Sequence, residues 1–260
     1  MLLYRLAPEG FYAVLDDPGE PARVLFSDPF ATLPGGWELG REVDLASAAP
    51  LAPVLPGKIV GIGRVYRDHA AELGNPMPAE PVVFLKAPSA VVGPRVPVLL
   101  PAASQRVEYE GEIAVVLRHR LRHASAEEAA TAVLGVTCAC DVTARDLQRR
   151  DPTFARAKSF DTFCPLGPAV WVGADLDDLS VVTRVNGEER QRGHVREMAW
   201  SLPELIAYVS GIMTLEPGDV LLTGTPAGVG ALAPGDTVEV EVPGLGTLVS
   251  PVEAERRAAR

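Results

Sequence analysis

Lysine is almost missing from this chain: Lys58, Lys86 and Lys158 are the only three, against 21 arginines. Cysteine is as scarce, at Cys138, Cys140 and Cys164, and three thiols at irregular spacing exclude a disulfide framework and a structural zinc site. A surplus of positive charge is missing too. Acidic residues outnumber basic ones 34 to 24, for a formal charge of −10 and a pI near 5.0, which argues against a nucleic-acid binder that must displace counterions from phosphates. No segment reaches the ~18 apolar residues of a membrane span; the most apolar early stretch, 46–62, is broken by three prolines and a lysine. The first nine residues lack a signal peptide's charged start and apolar run. Gly61-Ile62-Gly63 lacks the third glycine of a dinucleotide fingerprint, and no Gly-Lys-Ser/Thr follows the glycines at 224, 228 and 230. These absences lead to the expectation of a cytoplasmic protein with neither nucleic acid nor membrane as a partner.

What is present is an ordinary globular composition, 47% hydrophobic and 22% charged over 260 residues, enough for one large core with a small appendage. Short apolar runs at 4–6, 12–15 and 22–26, separated by Gly and Pro turns, predict a small β-rich appendage over residues 1–55. The Ala/Pro-rich stretch 46–57 reads as its linker, and 56–260 as the catalytic unit. Strands are predicted at 58–63, 82–85, 112–117, 136–139, 169–172, 181–185, 219–222 and 237–242. In the last of these Val238, Val240 and Val242 alternate with Glu239 and Glu241. Helices are fewer. Ser125 with Glu128 forms a capping box before a helix over 129–134, and Ser201 with Glu204 another before a helix ending at Gly211. Strands and helices mix without regular alternation, which predicts a β-rich α+β fold rather than a doubly wound parallel sheet.

The densest chemistry lies at Glu108-Tyr109-Glu110-Gly111-Glu112. Residues two apart on a strand share a face, so Glu110 and Glu112 project together from the start of the buried run Ile113–Leu117. Two adjacent carboxylates repel and need solvent or a cation between them. A second apolar run, Cys138-Ala139-Cys140, ends on Asp141, with both cysteines assigned to the core. Glu110, Glu112 and Asp141 form an all-oxygen set suited to Mg²⁺, Mn²⁺ or Ca²⁺. From spacing alone, solvent-facing acids at strand ends are the commoner reading of such a pattern.

Six segments, taken together and in order, resemble the fumarylacetoacetate hydrolase family: Tyr66-Arg67-Asp68-His69-Ala70-Ala71-Glu72, Phe84-Leu85-Lys86, Glu110-Gly111-Glu112, Asp141-Val142-Thr143-Ala144-Arg145-Asp146, Lys158-Ser159-Phe160-Asp161-Thr162 and Thr223-Gly224-Thr225-Pro226. The resemblance covers about 58–252. It implies a mixed β-sandwich roll, a homodimer and one divalent cation, usually Mg²⁺ or Mn²⁺, with Glu110, Glu112 and Asp141 on the ligand positions. Lys86, Arg145, Gln148, Thr162 and Thr225 fall on substrate-contacting positions. Lys158, His69 and Glu72 fall on catalytic ones, the last two as the lid-helix pair that activates a water in the family's hydrolases and decarboxylases. Spacing agrees on that pair, because residues three apart share a helical face, although most such His–Glu pairs are merely structural. Two departures stand out. Val65 occupies a position where the family often has Asn, and no carboxylate near Ile62 matches the additional metal-binding Asp of the fumarylacetoacetate hydrolases proper.

The implied substrate is a small 2-oxo or 2-hydroxy-dienoic dicarboxylic acid. It would chelate the cation through a carboxylate and the adjacent oxygen, with the metal stabilising an enolate. Lys158 adds charge beside that oxygen, Arg145 holds a carboxylate in its planar fork, and the loop at 224–230 offers backbone N–H groups and Thr225 to a carboxylate. The leading expectation is 2-hydroxyhepta-2,4-diene-1,7-dioate isomerisation in aromatic-acid catabolism. Acylpyruvate hydrolysis or oxaloacetate decarboxylation on the same site is the alternative, and a non-catalytic metal-binding scaffold stands behind both. Against the arginine background, Lys86 and Lys158 both fall inside the shared motifs and only Lys58 lies outside them.

Overall fold

The computed structural model describes residues 1–17, 19–72 and 74–256. Every strand expected from sequence forms. The largest sheet runs, edge to edge, through Leu39–Val43, Ala22–Leu25, Phe11–Leu15, Leu2–Leu6, Cys164–Val172, Val133–Cys140, Gly111–Leu117, Val220–Leu222, Ile59–Gly63 and Val82–Lys86. The pairing of Val220–Leu222 with Ile59–Gly63 is parallel and its neighbours along this order are antiparallel, making the sheet mixed. A five-stranded sheet, Glu188–His194, Ser180–Val185, Thr237–Val242, Gly246–Ala254 and Val98–Leu100, packs across Gly111–Leu117, Val133–Cys140 and Cys164–Val172. Val181, Val240 and Leu248 of this sheet join Ile113, Val136 and Leu166 of the other in one core. This β-rich sandwich agrees with the fold class read from sequence.

Burial explains why the strands read as they do. All seven residues of Gly111–Leu117 are buried, so the segment is continuously apolar rather than alternating. Thr237–Val242, with one face open, buries Val238, Val240 and Val242 and leaves the intervening residues half-buried. The three cysteines are buried in the sandwich, and burial pushes each thiol up to about 12. The first four strands extend the main sheet through Leu2–Leu6, whose Leu2 and Leu3 stand opposite Trp171 and Val170.

Both capping boxes form. Ser201 caps a helix over Leu202–Ile212, which runs one residue past Gly211 and packs on a second helix capped by Ser125. That second helix spans Ala126–Thr131, not 129–134, and its neighbour Val133 already opens a strand. The β-branched Val133, Val136 and Thr137 favour the extended state. Gly135 seals it, since an added Cβ there would lie 2.2 Å from Trp171 O. Met198 and Trp200 pack against the core. No described helix is long and apolar enough to cross a membrane.

Candidate metal and substrate site

The antiparallel register of two central strands builds the site. Gly111 stands opposite Cys140. Continuing that register sets Glu110, just before one strand, against Asp141, just after the other, and the Asp141 N–H donates to Glu110 O at 2.8 Å. Glu112 follows two residues on. One oxygen from each of Glu110, Glu112 and Asp141 lies within 4.8 Å of the others, and the three residues are 5%, 2% and 0% exposed. The solvent-facing reading of these acids is therefore wrong. Gly111 is demanded by close approach: an added Cβ would lie 1.8 Å from Thr183 Oγ1.

Each acid has a different electrostatic environment. Lys86 Nζ donates to Asp141 Oδ1 at 2.6 Å, and Lys158 Nζ donates to Asp141 Oδ2 and, at 2.7 Å, to Glu110 Oε2. Arg145 donates from Nε to Glu108 Oε2 at 2.6 Å, from Nη1 to Gln148 Oε1 at 2.7 Å, and from Nη2 to Glu110 Oε1. Burial pushes the Glu110 carboxyl upward, but the Lys158 ammonium and Arg145 guanidinium outweigh it and hold the group well below the usual carboxylate range. Glu112 makes no ion pair among the described residues, and Lys158 only partly offsets the effects that raise it. Its Oε2 accepts the Gly224 N–H at 2.7 Å, while burial, then Asp141 and Glu110, push its carboxyl well above the usual range. Four buried carboxylates, counting Glu108, thus face three buried cations and the exposed Arg106, whose Nε donates to Glu108 Oε1 at 2.5 Å.

The 224–230 loop does something other than what the sequence implied. Its Gly224 and Gly228 N–H groups are taken by protein carboxylates, Glu112 Oε2 at 2.7 Å and Glu72 Oε1 at 3.0 Å, rather than presented to a substrate. Gly224 has φ of +93°, and an added Cβ would lie 2.3 Å from Val65 Cγ2. Val65, where a polar residue was expected, is thus the apolar backing of the turn that holds Glu112. Thr225 Oγ1 donates to Gly111 O at 2.8 Å and accepts from Gln191 Nε2 at 2.7 Å. Gln191, 1% exposed, also accepts the Gly111 N–H at 3.0 Å.

These groups surround a cavity of 310 Å³ lined by Glu110, Glu112, Asp141, Arg145, Lys158 and His69, with Gln148 and Thr225 also on its wall. His69 stands on the short helix Arg67–Glu72 with Nδ1 3.2 Å from Glu72 Oε2. A carboxylate only accepts, so this contact places the proton on Nδ1 and leaves Nε2 as the basic nitrogen. Lys86 and Thr162 are not on the cavity wall. Lys86 lies behind Asp141, and Thr162 Oγ1 accepts the Leu99 N–H at 2.8 Å. Of the residues brought together here, Glu108 and Gln191 were not singled out from sequence. Glu108 had a signal, since it extends the two-residue spacing of Glu110 and Glu112 by one step. Gln191 had none locally.

The donor set fits a divalent cation: three convergent buried carboxylates, one of which makes no ion pair among the described residues.

Residues 58–253 match the family described as Fumarylacetoacetate (FAA) hydrolase C-terminal. The chain is 44% identical over 215 residues to the mitochondrial oxaloacetate tautomerase of Homo sapiens, covering 78% of this chain and 68% of that protein. Among solved structures, it resembles 5-carboxymethyl-2-hydroxymuconate delta-isomerase from Mycobacterium smegmatis, with a TM-score of 0.88 and 40% identity over 98% of this chain and 100% of that one. It resembles 2-hydroxyhepta-2,4-diene-1,7-dioate isomerase from Mycobacterium marinum equally, with a TM-score of 0.88 and 40% identity over 99% and 100%. The chain belongs to the fumarylacetoacetate hydrolase family, whose members are enzymes acting on small molecules with divalent metals.

Proposed function

We propose that this enzyme moves a proton along a 2-oxo or 2-hydroxy-dienoic dicarboxylic acid, with 2-hydroxyhepta-2,4-diene-1,7-dioate isomerisation its leading reaction and Mg²⁺ or Mn²⁺ its cofactor. The observation that carries this reading is the buried convergence of Glu110, Glu112 and Asp141 on a cavity that His69 also lines. Glu110, Glu112 and Asp141 would hold the cation, which when bound would draw electron density from the 2-oxygen of the acid. Lys158 and Arg145 keep Glu110 ionised, and Lys86 with Lys158 orients Asp141. Lys158, on the wall, supplies positive charge to the oxygen end of the substrate. His69 Nε2 takes the proton leaving the 2-hydroxyl and returns it to a chain carbon, so atoms balance without a co-reactant. Glu72 orients the ring for that transfer.

The likeness to an oxaloacetate tautomerase favours a second reading of the same site, keto–enol exchange in a shorter dicarboxylate, to which hydrolysis of an acylpyruvate or decarboxylation of oxaloacetate is chemically adjacent. The test follows ultraviolet loss of the dienol dioate and of the oxaloacetate enol with Mg²⁺, against an EDTA control, with pyruvate release measured in parallel. Metal-dependent dienol loss supports the leading reaction. Faster enol loss or pyruvate release favours the second, and no turnover at high enzyme concentration in any arm overturns both.

A further inference from the structure

Two cations of the cavity wall remain after the acidic cluster is satisfied. Arg145 and Lys158 are already paired with Glu108, Glu110, Asp141 and Gln148. Arg64 and Arg149 line the same cavity, and neither makes an ion pair or side-chain hydrogen bond among the described residues. Arg149 is exposed on the helix Arg145–Arg150, while Arg64 is half-buried. Asp141 is wholly buried, so these two arginines stand at the solvent end of the cavity and the acids at its floor.

Two further features fit. Arg64 follows the strand Ile59–Gly63 with φ of +60°, a left-handed conformation that a long side chain seldom adopts and that clusters at ligand sites. The same cavity wall carries Val82, Phe84 and Phe154, the two rings meeting edge-to-face with centroids 5.8 Å apart. A buried acidic cluster, apolar side chains and two unpaired arginines around one cavity match a molecule with an anionic, chelating head, a short hydrocarbon spacer and a second anionic group.

We propose that Arg64 and Arg149 form a second anion subsite that binds the far carboxylate of a dicarboxylic substrate and makes the enzyme select diacids over monoacids. The planar guanidinium fork suits a carboxylate. This inference rests on the proposed function, since the head group must sit on the acidic cluster. Arg64 and Arg149 are specificity residues and take no part in the proton transfer.

The test uses matched probes with Mg²⁺ present. Inhibition constants are measured for oxaloacetate, 2-oxoglutarate and 2-oxoadipate, and for the monoacids 2-oxobutanoate, 2-oxopentanoate and 2-oxohexanoate, with oxalate as a probe of the head site alone. Wild type should prefer at least one diacid to its monoacid by about 100-fold, since two charge-assisted contacts are at stake. Arg64→Gln and Arg149→Glu should each cut that preference about tenfold or more while moving oxalate and monoacid affinity less than twofold. Arg149 is exposed, so its variant folds and stands alone if Arg64→Gln does not; Arg64→Lys should restore part of the preference. Oxalate bound normally with an unchanged diacid-to-monoacid ratio overturns this subsite and leaves the proposed function standing. Failure of oxalate to bind wild type overturns both.

Discussion

Replacing Glu112 by Gln should stabilise the metal-free protein while removing its cation site, a combination that a structural carboxylate would not give. Glu112 is buried, accepts the Gly224 N–H as its one side-chain hydrogen bond among the described residues, and is pushed upward by burial and by Asp141 and Glu110. Above the ordinary carboxylate value, the folded protein either retains a proton that the unfolded chain has released or holds an unpaired charge. Each pH unit in that window costs about 1.4 kcal/mol until the raised value is passed. Gln keeps the acceptor for Gly224, offers its NH₂ to the neighbouring carboxylates and escapes this cost. At pH 7.5 in EDTA the variant should melt above wild type, with the difference shrinking toward zero as pH approaches the ordinary carboxylate value. Asp141→Asn is the contrast. It strips a charge from two buried ammonium groups, Lys86 and Lys158, and should cost about 3–5 kcal/mol. Adding Mg²⁺ should then raise the wild-type melting temperature and leave Glu112→Gln unmoved, because a ligand that binds only the folded state stabilises it by mass action. Thermal melts from pH 5 to 8, with EDTA and with Mg²⁺, read all of this. Equal destabilisation of the two variants in EDTA, or full Mg²⁺ stabilisation of Glu112→Gln, would refute the reasoning.

Three further outcomes follow from the same geometry. Because Glu112 is raised, the cation must displace its proton, so Mg²⁺ affinity should fall as pH is lowered and binding should release protons; titration calorimetry in buffers of different ionisation enthalpy measures the number. His69→Ala should lower turnover about 10²–10⁴-fold while leaving Mg²⁺-dependent oxalate affinity within about twofold, separating proton transfer from binding. Lys158→Arg should lose most activity and some stability, because the ammonium lies 4.9 Å over the Phe84 ring while donating to two carboxylates, a packed position that a branched guanidinium does not fit. Retained activity would make the lysine count a compositional accident.

Local pattern carried the strands, because alternation and apolar runs record burial directly. Thr237–Val242 shows this on one face and Gly111–Leu117 on two. It misplaced the helix at 126–131, since an Ala-rich segment running into Leu134 has no periodicity that marks where the next strand begins. Sheet order was out of reach. Nothing within Leu2–Leu6 announces that it lies beside Cys164–Val172, or within Val220–Leu222 that its partner Ile59–Gly63 runs parallel. The acidic cluster was legible because its carboxylates sit at strand ends that a single register brings together. Its supports were less so. Glu108 was visible only by extending a spacing, Gln191 acts across 80 residues on Gly111, and Arg64 and Arg149 are two among 21 arginines until the cavity singles them out.

The central claim is that Glu110, Glu112 and Asp141 hold a divalent cation that receives a 2-oxo acid. Anomalous diffraction from crystals grown with Mn²⁺ and oxalate tests it most directly. The expected result is one Mn²⁺ peak bonded to all three carboxylates, with one oxygen from each oxalate carboxylate on the metal and Lys158 and His69 facing the anion. A peak elsewhere, or oxalate bound away from these residues, would contradict it.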